Sequence, residues 1–205
     1  MSLFVALEKF ISNIAQCDSL IRNVHKQDAR VVSIMPVIDQ KQVTVAAFLN
    51  LFIAWEGFVE DAMINFMCGN PTISGINPTR YVTPENPDAA RKMLIGIHKY
   101  FDFANYENLI KISDIYFDAG YPFKVPLLNI ATILYDLKTM RNAAAHITST
   151  TQNALEGLAQ RKLLTPRLGI DLYTLLTSTI SGGTVFTDAR DNLLAAATQI
   201  ANGYP

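Results

Sequence analysis

The chain has 205 residues, half of them hydrophobic, and its 17 basic residues nearly balance its 18 acidic ones. That length predicts one domain spanning residues 1–205 with its own apolar core. The near-neutral charge argues against a protein that coats nucleic acid without selectivity, although it allows a small local site. Cys17 and Cys68 have no histidine or cysteine neighbours at ligand spacing. We therefore expect neither a metal site nor a disulfide framework.

The apolar stretches favour a cytoplasmic protein without a membrane segment. The stretch from Leu3 to Leu7 stops at Glu8 and Lys9, which does not fit a signal peptide. The longest uncharged runs, 42–55 and 172–187, are shorter than the ~20 apolar residues that a membrane span needs.

Hydrophobic spacing in the first half of the chain predicts two long helices. Apolar residues recur at intervals of three and four from Leu3 to Val24, as in an amphipathic helix. A short extended piece is predicted over Val31 to Met35, before Pro36. A second helix is predicted from Asp39 to Met67. Because its 43–55 part is apolar nearly all round, we expect it to be the central core helix.

The second half of the chain is also predicted to be mainly helical, after a proline-rich loop over 70–86. The residues Asn86, Pro87 and Asp88 combine a capping side chain, a proline and an acid at a helix start. Residues 170–179 fit a helix or a strand equally well. The predicted helices run from Asn86 to Tyr100, from Asn105 to Phe117, from Pro126 into Arg141, from Gln152 to Leu163 and from Thr187 to about Ala201. The predicted fold class is therefore an all-α helical bundle.

One hexapeptide carries the strongest chemical signal: Arg141-Asn142-Ala143-Ala144-Ala145-His146. A guanidinium holds phosphate oxygens in a planar fork, and an imidazole moves protons near neutral pH. Asn142 and His146 are four residues apart on a helix, so Asn142 is predicted to orient the imidazole. These groups suffice to cleave a phosphodiester without a metal ion. The alternative is a purely structural role, in which Arg141 pairs with a carboxylate and His146 interacts with the helix dipole.

The surroundings of the hexapeptide favour the chemical interpretation. His146 ends a long apolar helix and is followed by threonine and serine residues, a pattern typical of an exposed polar cluster. Between Lys138 and Arg167 there are five basic residues and one acid, Glu156. The centre of the chain is therefore predicted to be locally positive.

This combination resembles the HEPN superfamily (higher eukaryotes and prokaryotes nucleotide-binding domains). Its signature is an arginine, four to six residues and a histidine, often with asparagine after the arginine. The helix from Ala46 to Glu60, with its acidic and aromatic ending, is also similar to the core helix of prokaryotic HEPN proteins. The resemblance covers 43–163 and is closest to the RiboL-PSP-type or MAE-type groups. It implies an HEPN-like helical bundle, metal-independent RNA cleavage, two protomers that join their motifs, and Arg141, Asn142 and His146 as catalytic positions.

Acidic residues on the core helix form the other polar cluster. Glu56 and Glu60 share a helix face beside Asp61, and paired carboxylates can bind Mg²⁺ or perform acid–base work. More often such a pair is a solvated face, which is the interpretation we favour here. Glu56 is the better functional candidate, as a supporting partner of Arg141. His25 and His98 lack partners at useful spacing and are expected on the surface or in packing.

The function predicted from these features is an endoribonuclease that leaves 2′,3′-cyclic phosphate ends, in bacterial defence or a toxin–antitoxin pair. It needs no cofactor and no metal. Its expected partners are RNA, a second copy of the chain, and an antitoxin or another partner protein. The alternative is a non-catalytic helical dimerisation or nucleotide-binding adaptor module, which length and charge fit equally well.

Overall fold

In a computed structural model, the described residues are 2–96, 101–103, 105–146 and 148–203. They form nine helices and one two-stranded hairpin, so the prediction of an all-α fold is confirmed. The helices are α1 (Leu3–Val24), α2 (Val37–Met67), α3 (Pro87–Ile95), α4 (Tyr106–Tyr116), α5 (Lys124–Asn129), α6 (Ala131–Ala145), α7 (Ser149–Leu163), α8 (Leu172–Thr177) and α9 (Val185–Asn202). In the hairpin, β1 (Thr179–Ile180) pairs antiparallel with β2 (Gly183–Thr184).

The helix starts show which local signals decide the boundaries. Asn86 caps α3, because its side-chain oxygen accepts a hydrogen bond from the amide of Ala89. Thr148 caps α7 in the same way through the amide of Thr151. The last helix begins at Val185, earlier than the predicted start at Thr187. Its cap is Thr184, whose hydroxyl accepts from the Thr187 amide while the Thr187 hydroxyl accepts from the Thr184 amide.

Two predicted helices differ from those observed in the middle of the chain. The helix predicted from Pro126 into Arg141 is broken at Ile130, whose φ of −110° and ψ of 17° depart from helical values. The break separates α5 from α6. The helix predicted to reach Tyr100 ends at Ile95, where Gly96 follows with a φ of 58°. The rest of that predicted helix, including His98, lies at 97–100, outside the described residues.

The chain divides into two compact units, and each combines segments that are distant in sequence. The first contains Met1–Ile11, Trp55–Tyr135 and Asn192–Pro205. Its core includes three phenylalanine rings, with Phe66 edge-on to both Phe117 and Phe123 at centroid distances of 6.4 and 5.6 Å. Edge-to-face pairs of this kind are favourable because the positive edge of one ring meets the negative face of the other.

The second unit contains Ser12–Ala54 and Asp136–Asp191. Its most buried charge is Asp136, with 1% of the side chain exposed. This carboxylate accepts a hydrogen bond from Arg161 and has Lys162 Nζ 3.4 Å from its second oxygen. Lys162 also lies 3.1 Å from Asp188. The ion pairs join α6, α7 and α9, and they compensate a charge that would be costly to bury alone.

In this second unit α2 and α6 contact each other. The Arg141 guanidinium of α6 lies over the ring of Phe52 in α2. Later in α6, Ala143 and Ala144 line one cavity with Val45 and Lys41, which come earlier in α2 than Phe52. Residue numbers at these contacts rise along α6 while they fall along α2, so the two helices run antiparallel here.

By length and apolar composition, α2 also qualifies as a helix that could cross a membrane, and no other described helix does. Buried core helices of globular proteins meet the same criterion. Residues of α2 such as Phe48, Leu51 and Trp55 are fully buried within the fold.

Candidate functional site

The candidate motif lies at the C-terminal end of α6. Asn142 begins its last turn, Arg141 directly precedes that turn, and His146 follows the final helical residue, Ala145. The backbone amide of His146 donates to the carbonyl of Asn142 at 3.0 Å, so the helical path continues to the histidine. Arg141 and Asn142 are half-buried, whereas His146 is exposed. The helix end therefore presents the imidazole to solvent.

Two contacts hold the Arg141 side chain. Its Nη1 donates a hydrogen bond to Oδ1 of Asn142 at 3.3 Å. Its guanidinium carbon lies 5.7 Å from the centroid of the buried Phe52 ring. A guanidinium over an aromatic face is attracted to it by the ring quadrupole, and the contact leaves other N–H groups available. Asn142 was predicted to orient His146; in the structure its oxygen contacts Arg141 instead.

The backbone after the motif is fixed while the imidazole stays open. The hydroxyl of Thr151 donates to the backbone oxygen of His146 at 2.5 Å and also closes the cap of α7 with Thr148. Within the described part of the chain, the His146 ring makes no hydrogen bond or ion pair. The alternative interpretation of the motif required Arg141 to pair with a carboxylate. Arg141 has no such partner among the described residues.

Basic side chains near the motif divide into compensated and uncompensated ones. Arg161 and Lys162 are paired with the acids described above. Lys138, Arg141 and Arg167 make no ion pair with any described residue. Lys138 is three residues before Arg141, so both can extend from neighbouring positions of α6. The predicted positive character is thus concentrated on α6 and on the segment after α7.

The motif and one cavity involve neighbouring positions of α6. At about 100° per residue, Arg141, Asn142 and His146 fall within an arc of roughly 140°, and Ala144, three residues after Arg141, lies about 60° from it. Ala143 and Ala144 line a cavity of about 360 Å³. The three motif residues do not line it, and of these three His146 is the exposed one.

Sequence reasoning missed the charged pair in that cavity. Lys41 Nζ lies 2.5 Å from Asp171 Oδ2 and 5.8 Å from the centre of the Tyr173 ring. The hydrogen bond to Asp171 raises the pKa of Lys41, and the negative charge of Asp171 adds to the effect. Burial by itself acts to raise the pKa of Asp171, but hydrogen bonds from Lys41 and Thr174 outweigh it and lower that pKa. The partners are 130 residues apart, so no local pattern signals them.

The acidic cluster on α2 separates into different environments. Glu60 accepts a hydrogen bond from Arg91 at 2.8 Å, and Asp61 lies 3.9 Å from Lys9. These ion pairs are partly exposed, which agrees with the solvated face that we favoured from the sequence. No group of three or more histidine, cysteine or acidic side chains suited to a metal ion occurs among the described residues. Glu56 belongs to the first unit and Arg141 to the second, and their predicted partnership stays a prediction.

Comparison of the chain with protein-family models, with curated proteins and with solved structures finds no match.

Proposed function

We propose that the protein is a metal-independent endoribonuclease of the HEPN type. The observation that carries the proposal is the placement of the half-buried Arg141 and Asn142 and the exposed His146 on one face at the end of α6. A phosphate needs a cation and a proton carrier on the same accessible surface, and this face supplies both. The sequence resemblance adds the reaction class.

The chemistry is an internal transfer within the RNA. The ribose 2′-oxygen attacks the adjacent phosphorus and gives up its proton as the new oxygen–phosphorus bond forms. The bond from phosphorus to the 5′-oxygen of the next nucleotide breaks, and that oxygen takes up a proton. The products are a 2′,3′-cyclic phosphate end and a 5′-hydroxyl end. His146 is the proton carrier, and Arg141 stabilises the charge that grows on the phosphate oxygens.

The reaction needs a base and an acid at the same time, and each chain offers one histidine in the motif. A second protomer that contributes its own His146 solves this problem. His146 is exposed at the end of α6 and is therefore accessible to such a partner. We therefore propose a homodimer in which the motifs of two protomers meet around one phosphate.

An apolar loop, defined here as residues 31–38 and including the first two residues of α2, supports a second copy as the partner. Six of the eight residues 31–38 are exposed aliphatic or methionine side chains: Val31, Val32, Ile34, Met35, Val37 and Ile38. Such a concentration marks a surface that another molecule covers. Since α2 and α6 run antiparallel, the N-terminal end of α2 and the C-terminal end of α6 lie at the same end of the pair. The loop and His146 are therefore on the same side of the second unit.

Hydrogen bonds hold this apolar loop in one shape. The Asp28 carboxylate accepts from the amides of Arg30 and Val32 at 2.8 and 3.0 Å. The amide of Ile34 donates to the carbonyl of Lys26 at 3.0 Å. Val31 adopts a φ of 64°, a conformation that disfavours β-branched residues.

The decisive test is cleavage of single-stranded or loop RNA in the presence of EDTA. We expect the wild-type protein to cleave RNA and to leave DNA of the same sequence intact. His146→Ala and Arg141→Ala should each lower the rate on the order of 10²–10⁴-fold while the fold is retained. Lys111→Ala, which removes an exposed lysine of α4 in the first unit, is the control for loss of a positive charge. Metal-dependent cleavage that survives His146→Ala would refute the mechanism, and absence of cleavage by a well-formed dimer would favour the adaptor module.

A further inference from the structure

A second cavity of the second unit has about 480 Å³, and none of the three motif residues lines it. It is formed by the last turns of α1, by α8 and by the start of α9, with Thr44 of α2 also in its wall. Its volume falls in the range of small-molecule sites, and such sites combine apolar walls with a few polar groups. The proposed RNA cleavage makes no use of it.

One guanidinium in the wall of this cavity makes no ion pair with any described residue. Asp18 accepts from Arg190 Nη1 with both carboxylate oxygens, at 3.0 and 3.1 Å. Arg190 is held further by Asp191, 2.8 Å from its Nη2. Arg22, one turn after Asp18 on α1, is exposed and makes no hydrogen bond or ion pair with any described residue. An anion that enters the cavity would therefore meet a guanidinium whose donors are all available.

The polar part of the wall is built from two flat rings in a fixed orientation. His25 and Tyr173 lie nearly parallel, with an interplanar angle of 10° and centroids 5.9 Å apart. A hydrogen bond of 3.0 Å joins His25 Nε2 to the hydroxyl of the fully buried Thr44. The Tyr173 hydroxyl donates to Gln40 Oε1 at 3.1 Å. Both rings are thus held before any ligand arrives, and His25 Nδ1 has no partner among the described residues.

The remaining wall is apolar. Ile21 is half-buried, and Leu176 and Phe186 are buried. We infer from this combination that the cavity binds a small organic oxyanion with a flat apolar body. The carboxylate or phosphate head pairs with Arg22, and the body lies among the two rings and the aliphatic side chains. A neutral ligand would leave Arg22 unused, and a bare inorganic anion would leave the apolar wall unfilled.

The proposal is tested by titrating the full-length protein with three probes in the absence of RNA. Benzoate and phenyl phosphate carry the two candidate heads on the same ring, and benzyl alcohol is the neutral analogue. We expect at least one anion to bind about tenfold more tightly than the alcohol, because charge-assisted hydrogen bonds exceed neutral ones. The tighter of the two anions identifies the head group. Binding is measured by calorimetry and by the imidazole resonances of the chain's three histidines.

The variants separate an anion site from an ordinary apolar cavity. Arg22→Gln should weaken anion binding about tenfold and leave the alcohol unaffected. Lys26→Gln, four residues after Arg22, just beyond the end of α1 and outside the cavity wall, should change neither. Ile21→Trp should abolish binding of all three probes by filling the cavity. The His25 resonances should shift on binding, and those of His146 should not.

Equal binding of the anions and the alcohol would overturn the inference, as would no binding of any probe. An Arg22→Gln variant that binds benzoate and phenyl phosphate as tightly as the wild type would also refute it. None of these outcomes depends on RNA cleavage. If the protein cleaves RNA but fails this test, only the ligand site is refuted. If it passes this test but does not cleave RNA, only the proposed function is refuted.

Discussion

The Arg141 guanidinium donates to the side-chain oxygen of Asn142 at 3.3 Å, and this contact defines what Asn142 does in the motif. Neighbouring residues on a helix point about 100° apart, so the long arginine side chain has to bend towards the shorter asparagine. The buried Phe52 ring limits the guanidinium further. Asn142 is thus a positioning residue for Arg141, and His146 remains unattached at its ring.

Asn142→Ala tests whether Asn142 acts through Arg141 or through His146. We expect kcat to fall by less than in Arg141→Ala, because the guanidinium loses one hydrogen bond worth about 1 kcal/mol and not its charge. The pH profile of kcat should keep its wild-type midpoint, since the imidazole is not a partner of Asn142. A shifted midpoint would instead support the role predicted from the i, i+4 spacing.

Phe52→Leu should reduce cleavage through the same guanidinium. Loss of the ring removes a cation–π contact worth about 1 kcal/mol, which corresponds to roughly a fivefold loss in kcat/KM. Phe48→Leu is the matched control, because Phe48 is also fully buried in α2 and lies one turn away. Thermal unfolding of both variants measures the shared packing loss. Equal activity of the two variants would mean that Phe52 does not position Arg141.

Features of the fold that depend on neighbouring residues were predictable from the sequence. The bounds of α1 agree with its apolar spacing, and the caps at Asn86 and Thr148 follow from side chains that bond to amides within three residues. The break at Ile130 gave no such signal, because the apolar pattern continues through it while only the backbone departs from the helix. Thr184 was missed as a cap since Thr187 offers the same chemistry three residues later.

The candidate site was predictable only in part, for a related reason. Residue types and spacing were enough to select Arg141, Asn142 and His146. Which of them contact each other depends on side-chain direction and on Phe52, a residue nearly ninety positions earlier. The pair of Lys41 and Asp171 and the rings of His25 and Tyr173 depend on tertiary packing alone. Both cavities were therefore invisible in the sequence.

Ile34→Ser should weaken self-association. Its side chain is 61% exposed in the apolar loop, and burying an isoleucine in a dimer contact contributes about 2 kcal/mol, or roughly thirtyfold in Kd. Light scattering across a concentration series measures the change. Ile53→Ser is the control, because Ile53 is 62% exposed on α2 outside the loop. If cleavage needs the dimer, the activity of Ile34→Ser recovers at high protein concentration. A wild-type protein that stays monomeric in the same concentration series would refute the dimer.

Asp171→Asn should make stability less dependent on pH at both extremes. The folded-state pKa of Asp171 is lowered, so its stabilisation is present above the ordinary value of 3.8 and is lost as the pH falls through the folded pKa. The pKa of Lys41 is raised, so its share is present below 10.5 and is lost as the pH rises through the folded pKa. Asp171 is also the N-cap of α8, where its carboxylate accepts a hydrogen bond from the Thr174 amide. Asparagine removes both charge effects and keeps this cap, because Asn and Asp cap helices about equally well.

The measurement is urea unfolding of the wild type and the variant at three pH values. At about pH 7 both groups are charged, and towards about pH 3 and about pH 11 Asp171 and Lys41, respectively, lose their charge. The variant should be less stable than the wild type at neutral pH, and the difference should shrink at both other values. Asp114→Asn, which removes a lysine–aspartate pair of 2.9 Å in the first unit, controls for the loss of an exposed ion pair. A stability difference for Asp171→Asn that stays constant from acid to alkaline pH would show that Lys41 and Asp171 are not electrostatically linked.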